Sequence, residues 1–78
     1  MAKLLLLGPA REAAGVRHDE IEASTVGEVL ALASLRYGES FAAVLAASQV
    51  WLNGNWTELT NSVGPHDEVA VLPPVAGG

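Results

Sequence analysis

Apolar positions cluster near the two ends of the chain and along one stripe in its middle. Ala2 to Leu7 form a short apolar run, which suits a strand buried on both faces or nearly so. Gly8-Pro9 breaks the run, and Ala10 to Ala14 leave room for one helical turn closed by Gly15. Val16 to Ala23 is more polar and predicts a solvent-facing strand, so the first two strands read as a hairpin with a wide loop. Thr25 and Glu28 have the spacing of a capping box, in which each side chain satisfies a free backbone amide at a helix start. The helix predicted from it runs from Val26 to about Tyr37, with Gly38 as its stop. Val26, Val29, Leu30, Ala33 and Tyr37 share one face by the i, i+3, i+4 rule, and Leu32 and Leu35 are expected to widen it.

Ser40 is the expected cap of a second, shorter helix from Phe41 to Ala47. Gln49 to Leu52 reads as a strand, Asn53-Gly54 as a two-residue hairpin turn, and Asn55 to Leu59 as the returning strand. A turn-rich connection, Thr60 to Pro65, leads to the last strand, Glu68 to Leu72. Pro73-Pro74 ends that strand, because proline has no N–H to give to a ladder. This order predicts an α+β fold, a mixed sheet with one main helix packed on one face. The first and last strands are the most apolar, so they are expected as parallel central neighbours with the main helix in the crossover.

With 78 residues the chain reads as one domain, residues 1–78, whose free tail spans 73–78. A domain this small buries only about 60% of the surface its unfolded chain exposes, too little to enclose a dinucleotide cofactor. There are no cysteines, which excludes a disulfide framework, a zinc-thiolate site and a thiol nucleophile. Nine acidic against four basic residues give a net charge of −5. A nucleic-acid binder shows clustered positive charge instead, and here Lys3, Arg11, Arg17 and Arg36 are scattered. No stretch reaches the roughly 18 apolar residues that cross a bilayer, and Leu4 to Leu7 is too short for a signal-peptide core. The expected location is the cytoplasm, with no membrane partner.

Side-chain chemistry is sparse. His18 and His66 lie in polar stretches and read as surface residues, and no close-spaced ligand set points to a metal. Asp19, Glu20 and Glu22 read as a solvated acidic face, with a docking surface for basic partners as the alternative. The serines lack a nucleophile elbow, and Gly8-Pro9 lacks the spacing of a phosphate loop. Trp51 and Trp56 flank the Asn-Gly turn and read either as marks of an interface, where tryptophan is enriched, or as core for at least one of them, with Trp51 expected in the core. Gly77-Gly78 is the sharper signal, since two terminal glycines arise by chance in roughly 0.5% of chains. Without a Cβ, an extended Gly-Gly enters a channel closed to other residues and leaves the terminal carboxylate open to attack. A carboxylate is a poor electrophile until it gains a leaving group. Adenylation by ATP provides one, and with no phosphate site here the activating enzyme is expected to be another protein.

Three stretches carry a resemblance: Leu7-Gly8-Pro9-Ala10-Arg11-Glu12-Ala13-Ala14-Gly15, Thr25-Val26-Gly27-Glu28-Val29-Leu30, and Asp67 to Gly78 with its Pro-Pro-Val-Ala-Gly-Gly ending. In them, and over essentially its whole length, the chain resembles the small subunit of molybdopterin synthase (MoaD), a family of ubiquitin-like sulfur carriers. The resemblance implies a β-grasp, ubiquitin-like fold. It implies that an E1-like adenylyltransferase activates the terminal glycine, that a sulfur donor protein converts it to a thiocarboxylate, and that the tail enters the large synthase subunit (MoaE). There it donates sulfur to cyclic pyranopterin monophosphate, and two transfers build the dithiolene of molybdopterin. Gly78 is then the sulfur-bearing residue and Gly77 the residue that lets it enter. No cofactor or metal is expected on this chain, ATP being consumed by the activating partner. The partner interface is expected on the exposed face of the sheet, at Leu7, Leu72, Pro73 and Pro74. Leu6 and Leu7 depart from the family, whose first strand often carries an aromatic there. The competing functions are a carrier for thiazole or cysteine synthesis, a modifier joined to lysines through Gly78, and an interaction domain with an inert tail.

Overall fold

The computed structural model describes residues 1–74. Its elements are β1 (Ala2–Leu6), α1 (Gly8–Ala14), β2 (His18–Ile21), α2 (Val26–Tyr37), α3 (Glu39–Ala46), β3 (Gln49–Leu52), β4 (Asn55–Trp56) and β5 (Glu68–Leu72). The strands form one mixed sheet in the order β2-β1-β5-β3-β4. β1 and β5 pair in parallel from Lys3–Glu68 to Leu6–Val71, with α2 in the crossover between them. β2, β3 and β4 add to this pair as antiparallel neighbours. The expected α+β arrangement is present.

Alternation along the central pair sets the layers. Ala2, Leu4, Leu6, Val69 and Val71 are buried, while Lys3 is exposed and Leu5, Ala70 and Leu72 are half-buried. The first strand is therefore buried on one face only, not on both as its unbroken apolar run suggests. The buried face packs on Val26, Val29, Leu30 and Ala33 of α2, Ala10 of α1 and Phe41 of α3. The main helix α2 is thus joined on this side of the sheet by the shorter α1 and α3. Leu32 and Leu35 do not widen the apolar stripe: they stand 40% and 83% exposed. Leu35 is nine residues beyond Val26, about two and a half turns, so it points away from the sheet.

Local chemistry explains the element ends. Thr25 Oγ1 accepts the Glu28 N–H at 3.2 Å, and Glu28 Oε1 accepts the Ser24 N–H at 2.7 Å, one residue further back than a capping box requires. Two more free amides at the start of α2 find backbone partners: the Val26 N–H donates to Asn61 O and the Gly27 N–H to Leu59 O. This accounts for the early end of β4. The chain after Trp56 leaves the sheet edge to bring those carbonyls to the helix terminus, so the return strand expected to reach Leu59 keeps only two residues. Gly38 (φ 95°) both ends α2 and precedes α3, and Ser40 lies inside α3 and does not cap it. Asn53 and Gly54 both adopt positive φ, 52° and 84°, the signature of a two-residue hairpin turn with strand-like twist. The Asn53 side chain also accepts the Glu68 N–H and donates to Asp67, fastening this turn to the start of β5.

Asp19 lies on the helix side of β2, where it accepts hydrogen bonds from the Tyr37 hydroxyl and from Arg36 at the end of α2. Burial pushes the Asp19 carboxyl up, but those two donors and the Glu20 N–H outweigh it and hold the carboxyl below its usual range. Burial and the adjacent Asp19 push the Tyr37 hydroxyl up to about 12. A lowered carboxyl value stabilises the fold above the unfolded value near 3.9 and is lost as pH falls through the folded value. A raised tyrosine value stabilises below about 10 and is lost as pH climbs toward the folded value. Urea midpoints are therefore expected to drop less steeply on acidification below about pH 4 in D19N than in the parent. An equal acid slope in both proteins would contradict this tie between β2 and α2.

Candidate functional site

The face of the sheet opposite the helices is open, and strand register fixes what lies on it. Leu5 pairs with His18 on one side and Ala70 on the other. Ala70 pairs with Trp51, and Trp51 with Trp56. These five residues form a row across all five strands, on the side opposite the buried Leu4, Leu6, Val69 and Val71. The next row toward the strand starts is charged, with Glu20 beside Lys3 and Lys3 beside Glu68. The row toward the end of β5 holds Leu72 beside Gln49. Leu7 follows the Leu6–Val71 pair in extended conformation, which sets it beside Leu72 on the same open side.

The structure thus places Leu7 and Leu72 together, both half-buried, where the chain leaves the sheet. Pro73 is half-buried and Pro74 exposed. Neither has an N–H to extend the ladder with β3, so pairing stops at the end of the central strand β5. Gly77 and Gly78 lie outside the described residues, as does the tail beyond Pro74.

Several expectations change. Trp51 is not in the core: its partners Ala70 and Trp56 put it on the open face, half-buried, while its neighbours Val50 and Leu52 turn toward the helices. The acidic run is split, since Asp19 turns inward to Tyr37 and only Glu20 and Glu22 are exposed. His18 and His66 are exposed as expected. Leu5 and Ala70 went unnoticed as parts of the open face, and the signal that finds them is the parallel register of the end strands combined with period-2 alternation. Among the described residues no group of three His, Cys, Asp or Glu side chains is placed to hold a metal ion. No helix among the described residues is long and apolar enough to cross a membrane. On the helix side, a hollow of about 320 Å³ between α2, α3 and β3 is lined by Leu30, Ala31, Leu45, Val50 and Leu59, among others, and by no charged side chain. Ser34 and Ser48 also line it, but Ser48 Oγ donates to Val44 O and no lining side chain can serve as a general base for either hydroxyl.

The two faces of β5 answer differently to the same substitution. Leu72→Asp is expected to cost about 1 kcal/mol or less, as surface changes do. Val71→Asp buries an unpaired carboxylate and is expected to abolish folding at neutral pH. Equal losses in thermal melts of the two variants would contradict the assignment of Leu72 to the open face.

The ThiS family matches residues 4–78. Solved structures share the fold. One is described as a putative molybdopterin converting factor, subunit 1, from Pyrococcus furiosus, 25% identical with a TM-score of 0.83 over 95% of this chain and 97% of that one. Another is the small archaeal modifier protein 1 of Methanosarcina acetivorans, 25% identical with a TM-score of 0.87 over 99% of this chain and 95% of that one. A complex of subunits 1 and 2 of the molybdopterin-converting factor of Helicobacter pylori 26695 matches at 24% identity and a TM-score of 0.73, covering 99% of this chain and 97% of that one. At that identity the likeness is one of fold. No curated protein sequence matches this one.

Proposed function

Because the chain belongs to the ThiS family of ubiquitin-like sulfur carriers, we propose that Gly78 is its working residue and that it serves as the sulfur-donating small subunit of a molybdopterin synthase. The observation that carries this reading is the way the chain leaves the fold. β5 ends beside β3, Pro73-Pro74 stops the ladder, and Val75-Ala76-Gly77-Gly78 follow in the sequence. Fully extended, four residues span at most about 14 Å, enough to reach a buried centre in a partner docked on the sheet. Gly77 keeps the arm slim and Gly78 leaves the carboxylate unhindered. An E1-like enzyme adenylates that carboxylate with ATP, and a sulfur donor then displaces AMP to leave a thiocarboxylate. The large subunit takes up the arm and passes the sulfur to cyclic pyranopterin monophosphate. Leu7 and Leu72, at the root of the arm, are the proposed anchors for that subunit. Cytoplasmic location belongs to the same proposal.

Support for the synthase role comes from the three matching stretches and from the Pyrococcus furiosus relative described as a subunit 1. A second reading, a modifier joined to lysines through Gly78, draws equal identity from the Methanosarcina acetivorans modifier. Stable lysine conjugates in cells separate the two. A carrier for thiazole or cysteine synthesis is separated by a failure of sulfur transfer to the pyranopterin.

The arm is tested by adding one alanine after Gly78, or by removing Gly78. Either change moves the carboxylate by about 3.5 Å along an extended chain, and a misplacement of about 1 Å is enough to cost a hundredfold in rate. Both variants are expected to melt like the parent and to lose sulfur transfer at least about a hundredfold. Molybdopterin formation near the parental rate with either variant would overturn the assignment of Gly78.

A further inference from the structure

We propose that Asn53 is a site of spontaneous deamidation, that its clip to Asp67 and Glu68 restrains the reaction in the folded protein, and that the modification, once made, breaks the clip and frees the β3–β4 hairpin. The proposal is independent of the role given to Gly78. Asn53 and Gly54 are exposed, and Gly54 has no Cβ to screen its nitrogen. That nitrogen gives up its proton to water and attacks Asn53 Cγ. The bond from Cγ to Nδ2 breaks, and ammonia leaves with a proton from solvent. A five-membered cyclic imide then joins the two residues. Water adds at either imide carbonyl and breaks its C–N bond, which yields aspartate or isoaspartate at position 53. The net change is water in and ammonia out, with nothing oxidised or reduced.

Ring closure requires the Asn53 side chain to turn back onto its own main chain. In the folded protein it is held toward β5 instead. Its Nδ2 donates to Asp67 Oδ1 and its Oδ1 accepts the Glu68 N–H, both at 2.9 Å. The backbone is fixed on both sides as well: the Asn53 N–H donates to Glu68 O at 2.8 Å, and the Leu52–Asn55 pair closes the turn. The reaction therefore proceeds through local opening of the hairpin end, not from the closed state. Asn55 and Asn61 are exposed too, but Trp56 and Ser62 follow them, and a Cβ screens the attacking nitrogen in each case. They serve as internal controls.

The product cannot keep the clip. Its carboxylate has an oxygen where Asn53 had a donor, and that oxygen meets the Asp67 carboxylate. Asp67 is itself held in place, since its Oδ2 accepts the Gly64 N–H at 2.7 Å and its main-chain carbonyl accepts the Lys3 N–H at 2.9 Å. The Asn53 side chain is also the foremost of the groups that keep the Asp67 carboxyl below its usual range. Replacing that donor by a like charge reverses its influence. Isoaspartate goes further. The main chain then runs through the former side chain, and one more carbon enters a two-residue turn whose length sets the strand register. β4 has two residues and β3 as its only neighbour in the sheet, so it is the element released.

The test incubates the full chain in warm neutral buffer and follows it by peptide mass and by an assay for isoaspartate. In urea that unfolds the chain, exchange of an NH2 group for OH is expected first at Asn53, ahead of Asn55 and Asn61. In the folded parent the Asn53 rate is expected to be at least about tenfold lower, and to rise in urea still below the unfolding midpoint. D67A is expected to bring the folded rate back toward the unfolded one. N53D, which carries the product side chain, is expected to melt about 5 °C below the parent. N53D/D67N exchanges donor and acceptor across the same pair and is expected to recover most of that loss. Equal rates in the folded and unfolded parent overturn the restraint, and earlier modification at Asn55 or Asn61 overturns the site. N53D melting like the parent, or no recovery in N53D/D67N, overturns the broken clip. If D67A does not fold, the urea series decides, and a rate that stays flat up to the unfolding midpoint overturns the restraint.

Discussion

The pairing of β1 with β5 is the constraint on which the rest of the molecule depends. These strands come from opposite ends of the chain and run parallel, so everything between them must form a crossover and return. Their register sends Leu4, Leu6, Val69 and Val71 into the core together. A slip of one residue would turn one strand over against the other and send Lys3 or Glu68 inward, which the buried face of α2 does not tolerate. With the pair in place, β2, β3 and β4 have only the two edges to occupy. The end of β5, and so the root of the arm, is fixed beside β3.

The same alternation divides the work between the faces. The inner face provides stability, through α2 and the fully buried Phe41, which meets Tyr37 edge-to-face at a ring separation of 5.2 Å. The outer face is left free, with Leu5, Ala70, Leu72 and the two tryptophans facing away from the helices. Substitutions there are expected to cost the fold little.

Much of this was legible in the residues. Thr25 with Glu28, Asn53-Gly54, Gly15, Gly38 and Pro73-Pro74 are local signals, and each marks a boundary that local backbone chemistry decides. The α2 limits, β3 and β5 follow from them directly. The exceptions all depend on tertiary neighbours. Leu35 looks like core until α2 is oriented against the sheet. Trp51 looks like core until its register with Ala70 is known. β4 looks longer until the amides at the start of α2 draw the chain away at Leu59 and Asn61. Ser40 looks like a cap until Gly38 serves both helices. The proposed role of Gly77 and Gly78 is the opposite case, since it rests on the sequence and not on any tertiary neighbour.

The central claim is that the terminal carboxylate of Gly78 carries sulfur, and the intact mass of the protein purified from its own cells tests it most directly. The expected result is a fraction of the protein heavier by the exchange of one oxygen for one sulfur, located at Gly78 by fragmentation and removed by alkylation and hydrolysis. A single species with the unmodified mass, from cells that are actively making molybdopterin, would contradict it.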